Sequence, residues 1–128
     1  MGVEKCQVLV IEDNTDEANT LKEVLEMSGY QVAVAYSGAQ GLEQARQTHP
    51  EVIVCDLGLP DLDGLEVARR LRADPVAGKA YLVALTGHVS PGDVESTAAA
   101  GYDQHMAKPA DPRQLERIVA ARVGERVG

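Results

Sequence analysis

The 128-residue chain has no tryptophan, no phenylalanine and only four tyrosines. Nucleic-acid binders stack bases on aromatic rings and flank them with basic residues. Here rings are scarce, and twenty acidic residues outnumber twelve basic ones, giving a formal charge of -8. Such a field repels nucleic acid and anionic membrane surfaces and attracts cations. Long hydrophobic runs are missing too, and no apolar stretch approaches the ~20 residues of a membrane span. Residues 1–6 are too few and too polar for a secretory signal. Linkers, repeats and low-complexity tracts are absent, so the length fits one domain. Only two cysteines occur, Cys6 and Cys55, far apart and each beside an apolar run. Metal sites cluster their ligands and redox pairs use Cys-x-x-Cys, so both thiols read as small buried hydrophobes. About two-thirds of the unfolded surface can be buried at this size, a core that needs no disulfide. The expectation is a cytoplasmic domain that avoids nucleic acid and membranes.

What the chain has is alternation. Residues 7–11 form a near-continuous apolar run, the mark of a strand covered on both faces. Asn14 with Glu17 resembles a capping box, and Ala18, Leu21, Val24 and Leu25 carry a helical stripe to Gly29. A short strand over 32–35 follows. Ser37 and Gln40 repeat the cap pair before a short helix bearing Leu42 and Ala45, which stops at His49-Pro50. Residues 52–55 make a second buried strand that ends at Asp56. The turn-rich segment 58–64 leads to a helix with Leu65, Ala68 and Leu71 inward, and Asp74-Pro75 ends it. A fourth strand over 81–85 ends at Thr86. Ser90-Pro91 with Asp93 opens a helix that Gly101 closes. The fifth strand, 102–107, ends at Lys108-Pro109. Asp111-Pro112 with Gln114 then opens a last helix with Leu115, Ile118 and Val119 inward.

Five strands alternating with five helices predict an α/β fold with a doubly wound parallel sheet, because parallel neighbours need crossover connections. Ligands of such sheets bind beyond the carboxyl ends of the strands. Glu12 and Asp13, Asp56, Thr86 and Lys108 fall there, at four different strand ends. Each alone would be an ordinary polar residue at a strand exit. Three carboxylates in one cleft, however, raise one another's pKa and destabilise the fold unless a cation intervenes. Mg²⁺ suits them: it takes one or two carboxylates, keeps several waters and completes its octahedron with phosphate oxygens. The constellation is the signal.

The residues stand in four segments: VLVIEDN over 8–14, DLGLPDLDG over 56–64, Leu85-Thr86-Gly87, and Lys108-Pro109. In this order and spacing the chain resembles the receiver domain of two-component response regulators, from about residue 6 to residue 122. The resemblance implies a flavodoxin-like, five-stranded sheet of order 2-1-3-4-5 with helices on both faces. It implies that Asp56 takes a phosphoryl group from a phosphohistidine on a histidine kinase or histidine phosphotransfer domain. Asp13 and Asp56 would then ligate Mg²⁺ together with the backbone carbonyl of Gly58, and Glu12 would act through a metal-bound water. Thr86 would hydrogen-bond one phosphoryl oxygen and Lys108 would pair with another. Such a domain catalyses its own phosphorylation and dephosphorylation and switches a protein-interaction surface. The physics agrees, since a loose phosphoryl transition state is helped by positioning and by positive charge on its oxygens.

Two departures accompany the resemblance. The family usually has Tyr or Phe three positions before the Lys, a switch residue that swings inward as the Thr moves. Here it is His105, a smaller and titratable ring. Gly58 and His88 flank the path of attacking water, at positions that vary in the family and affect phosphate lifetime. Competing functions fare less well. A flavin or nucleotide module needs a Gly/Ser/Thr-rich cradle after strand one, where this chain has Glu12-Asp13-Asn14. An aspartate-nucleophile phosphatase usually has a second Asp two residues after the first; that position is Gly58, while Asp61 and Asp63 read as turn formers. A receiver-like interaction module would not need the complete acidic set. Residues 123–128 are too short for an output domain, which leaves a stand-alone protein or the receiver segment of a hybrid sensor kinase.

Overall fold

The computed structural model describes residues 7–87 and 91–123. Among them, five strands alternate with five helices: β1 Val8–Ile11, α1 Thr15–Met27, β2 Val32–Ala35, α2 Gly38–Thr48, β3 Val52–Asp56, α3 Gly64–Ala73, β4 Tyr81–Thr86, α4 Pro91–Ala100, β5 Gln104–Ala107 and α5 Pro112–Val123. All neighbouring strands pair in parallel, in the order β2-β1-β3-β4-β5. The alternation predicted such a sheet, and the resemblance its order. No helix among the described residues is long and apolar enough to cross a membrane.

The apolar runs are continuous because both sheet faces are covered. Side chains alternate between faces along a strand. Leu9, Ile11, Ile53, Cys55, Leu82 and Ala84 therefore pack with Leu42 and Ala45 of α2 and Val67, Ala68 and Leu71 of α3. Val8, Val10, Val52, Val54, Val83, Leu85 and Met106 pack with Ala18, Leu21 and Leu25 of α1 and Leu115, Val119 and Val123 of α5. Each fully buried Val, Leu or Ile contributes roughly 1.5–3 kcal/mol. Cys55 is buried, as expected of a small hydrophobe; Cys6 lies outside the described residues. Val24, Ile118 and Leu65, read as inward-facing, are only half-buried. Val67, not Leu65, anchors α3, so its buried stripe lies slightly further round the helix.

The caps show where local sequence wins and where tertiary context does. Asn14 caps α1 by accepting from the Glu17 amide at 3.0 Å. The reciprocal half of the capping box is replaced, because the Asn14 amide donates to Glu12 Oε2. Ser37 accepts from the Gln40 amide, and Gln40 answers one residue early, at the Tyr36 amide. Asp63 caps α3 through the Leu65 amide. Asp61, read as a turn former, caps α2 from across the loop: its carboxylate accepts from the Gly38 and Ala39 amides at 2.8 and 3.0 Å. A 3-10 turn over Ala77–Lys79 was not expected; the Asp74 carboxylate builds it by accepting from the Val76 and Ala77 amides. The fifth strand starts at Gln104 rather than 102, since the Tyr102 amide donates to Thr97 O of α4 instead of joining the ladder. The Ser90 cap lies outside the described residues. Gly101, at φ +120°, does close α4.

Candidate functional site

Register alone brings the singled-out residues to one edge of the sheet. Ile11 pairs with Cys55, so Glu12 leaves β1 beside Asp56, the last residue of β3. Asp56 pairs with Leu85, which puts Thr86 one step further on β4, and Thr86 pairs with Ala107, just before Lys108. Glu12, Asp56 and Lys108 share the strand parity of the α1/α5 layer, which is why the three charged groups meet.

Glu12 is 1% exposed and Asp56 5%, while Asp13 is exposed. Carboxylate oxygens of the three lie within 4.8 Å of one another. Lys108 Nζ reaches into this group, 3.1 Å from Glu12 Oε1 and 3.2 Å from Asp56 Oδ2. Its own amide donates to the Thr86 carbonyl at 2.9 Å. Thr86 is buried at the end of β4. The Gly58 amide donates to Asp56 Oδ1 at 3.0 Å, fixing the nearer turn of the loop against the carboxylate.

Burial costs this cluster free energy. It pushes the Glu12 carboxyl up to about 7, against the Asn14 amide and Lys108, which favour the charged form, and the Asp56 charge adds to the rise. Burial also pulls Lys108 down, but Glu12 and Asp56 outweigh it and hold the ammonium above its ordinary value. Glu12 Oε1 has no hydrogen-bond partner although Lys108 Nζ is 3.1 Å away, so that contact is a charge pairing at a poor angle. Three hard oxygen donors with an orphaned buried oxygen among them, and one ammonium to offset them, fit a divalent cation.

Three further residues were not legible as parts of this site. Glu17, read only as a helix cap, places Oε1 3.8 Å from Lys108 Nζ, making a third carboxylate around that ammonium. Tyr102 and Asp61 hold the loop after Asp56, from the turn that follows α4 and toward α2 respectively. Only the spacing of Asp61 within a turn-rich loop hinted at a role. His105 is half-buried on the edge strand β5, paired with Ala84. His88 lies outside the described residues.

Comparison with known proteins supplies the family. The sequence model of the response regulator receiver domain matches residues 8–120. The chain belongs to the response regulator receiver domain family. Relatives include the polar-differentiation response regulator DivK of Brucella ovis, 33% identical over 112 residues that cover 87% of this chain and 91% of that one. Among solved structures, the receiver domain of the Pseudomonas aeruginosa sensor histidine kinase PA1611 is 30% identical. It has a TM-score of 0.83 and covers 94% of this chain and 99% of its own, and it holds a magnesium ion in its active-site cleft. The Vibrio cholerae chemotaxis protein CheY4, 23% identical, shares the fold at a TM-score of 0.86 over 94% of this chain and all of its own. The receiver domain described here is thus a two-component signalling module with a flavodoxin-like sheet.

Proposed function

We propose that Asp56 is the phospho-acceptor of this receiver domain and that the chain between residues 6 and 122 is one Mg²⁺-dependent phosphoryl switch. The observation that carries the reading is Asp56 itself. Its carboxylate is buried at the end of the central strand, bonded to the Gly58 amide and paired with Lys108, with oxygens of Glu12 and Asp13 close by. Family membership supports it, and so does the cation-suited donor set. Mg²⁺, held by Asp13, Asp56 and the Gly58 carbonyl and reached by Glu12 through water, would neutralise the cleft and supply positive charge to phosphoryl oxygens.

The chain's own residues do the rest. An Asp56 oxygen attacks the phosphorus of a partner's phosphohistidine; the new O–P bond forms as the P–N bond breaks, and its electron pair returns to the imidazole. The Thr86 hydroxyl donates to one phosphoryl oxygen. The Lys108 ammonium, released from its carboxylates, pairs with another, offsetting charge where it gathers in the transition state. Hydrolysis of the acyl phosphate resets the domain. His105, with Thr86, is the proposed link from this site to the surface of α4, β5 and α5. A histidine kinase or histidine phosphotransfer domain as donor, and a cytoplasmic setting, go with this reading.

Acetyl phosphate with Mg²⁺ should add one phosphoryl group by intact mass, and chelation should abolish it. Asp56→Asn should stay unlabelled. Labelling that survives chelation would refute the metal requirement, and full labelling of Asp56→Asn would move the acceptor elsewhere.

A further inference from the structure

None of these steps uses Tyr102, although it braces the acceptor loop from below. Its backbone turns out of α4, with the amide bonded to Thr97 O at 3.1 Å. Its ring is buried in the α2/α3 layer. The hydroxyl donates to the Gly64 carbonyl at 2.8 Å, 38 residues away in sequence, and lies against the Cys55 thiol. Gly64 is where the loop after Asp56 enters α3. A Cβ on Gly64 would stand 2.6 Å from Leu57 Cα and 3.0 Å from the Asp56 carbonyl, so the two ends of the loop touch there. The Gly64 amide donates to Leu57 O, and the Leu57 amide donates to Leu85 O at 2.9 Å. The loop is thereby closed at its base, and Tyr102 ties that base to the end of α4.

Phenylalanine would fill the same volume without bringing a buried hydroxyl that must be satisfied. What the hydroxyl adds is one bond, to the backbone of the acceptor loop. We infer that Tyr102 is a positioning residue for the phospho-acceptor site, fixing through the Gly64 carbonyl the backbone that carries Leu57 and Gly58 beside Asp56. The inference rests on the proposed site, where Gly58 contributes a backbone oxygen. A hard octahedral ion demands near-ideal ligand placement, so a loosened loop weakens its binding.

The test compares Tyr102→Phe with Tyr81→Phe, which deletes a hydroxyl bonded to Gln104 at 3.0 Å near the opposite end of the sheet. Amide exchange is read by NMR in the metal-free proteins, and Mg²⁺ dissociation constants by amide-shift titration. Tyr102→Phe should speed exchange selectively at Leu57 and Gly64 and weaken Mg²⁺ binding about three- to tenfold, the effect of one net hydrogen bond. Saturating Mg²⁺ should restore its labelling by acetyl phosphate. Tyr81→Phe should change neither reading. Tyr102→Leu, with a smaller apolar side chain, should loosen the same two amides. Unchanged exchange at Leu57 and Gly64, or acceleration spread evenly over the sheet with an unchanged dissociation constant, would overturn the inference. Selective loosening in a protein whose wild type binds no Mg²⁺ would support the brace and refute the metal site instead.

Discussion

Lys108 is where the charges of the cleft converge. Its ammonium is 3.1 Å from Glu12, 3.2 Å from Asp56 and 3.8 Å from Glu17, so a single cation offsets three carboxylates while a fourth, Asp13, stands beside them. Removing it pulls two properties in opposite directions. The cleft gains net negative charge, so a divalent ion binds more tightly, about tenfold for one unit charge a few ångströms away. The transition state meanwhile loses a positive partner for its phosphoryl oxygen, and the rate falls by about tenfold or more. Lys108→Met should therefore bind Mg²⁺ more tightly in an NMR titration and yet label more slowly with acetyl phosphate. A parallel fall in both would mean that Lys108 mainly holds the site together.

At the scale of elements, the loop between β3 and α3 is tied across the fold to α2 and to the end of α4. Asp61 crosses it to cap α2, accepting from the Gly38 and Ala39 amides, and those amides hold its carboxyl below the ordinary value. Asp61→Ala should lower the melting temperature and speed exchange at Gly38 and Ala39 while leaving α3, capped by Asp63, protected. Hydrogen exchange by NMR separates the two helices. Such ties explain what the sequence could and could not disclose. Strand faces and the Asn14 and Ser37 caps were legible because their partners lie within a few residues, at a fixed period. The strand-end acids, Thr86 and Lys108 were legible because parallel topology sends every strand's carboxyl end to one edge. Glu17 on Lys108, Asp61 on α2 and Tyr102 on Gly64 were not, because each partner is brought near only by the fold. The start of β5 lies two residues later than the sequence predicts for the same reason: α4 claims the Tyr102 amide.

For the molecule as a whole, an excess of acidic residues meets a fold that uses several of them as acceptors. Asp74 is held below its ordinary 3.8 by the Ala77 and Val76 amides, and Arg46 assists. Glu66 is held below 4.5 by Arg70 and Arg69. Asp61 behaves likewise. These folded carboxylates bind protons less readily than unfolded ones, so the unfolded chain takes up more protons as pH falls. The stability they lend is complete above about pH 4–5 and is lost as pH drops through the folded pKa values below that. Urea midpoints at successive pH values should decline on the acid side of about pH 4. Asp74→Asn should flatten that limb, and an unchanged slope would show that the Asp74 charge contributes nothing net.

Transfer of a phosphoryl group to Asp56 is tested most directly by trapping the acyl phosphate. Borohydride reduces an aspartyl phosphate to homoserine, and peptide mass spectrometry locates the altered residue. After treatment with acetyl phosphate and Mg²⁺, homoserine is expected at position 56, with Asp13, Asp61 and Asp63 unchanged. Homoserine at another aspartate, with position 56 intact, would contradict the assignment.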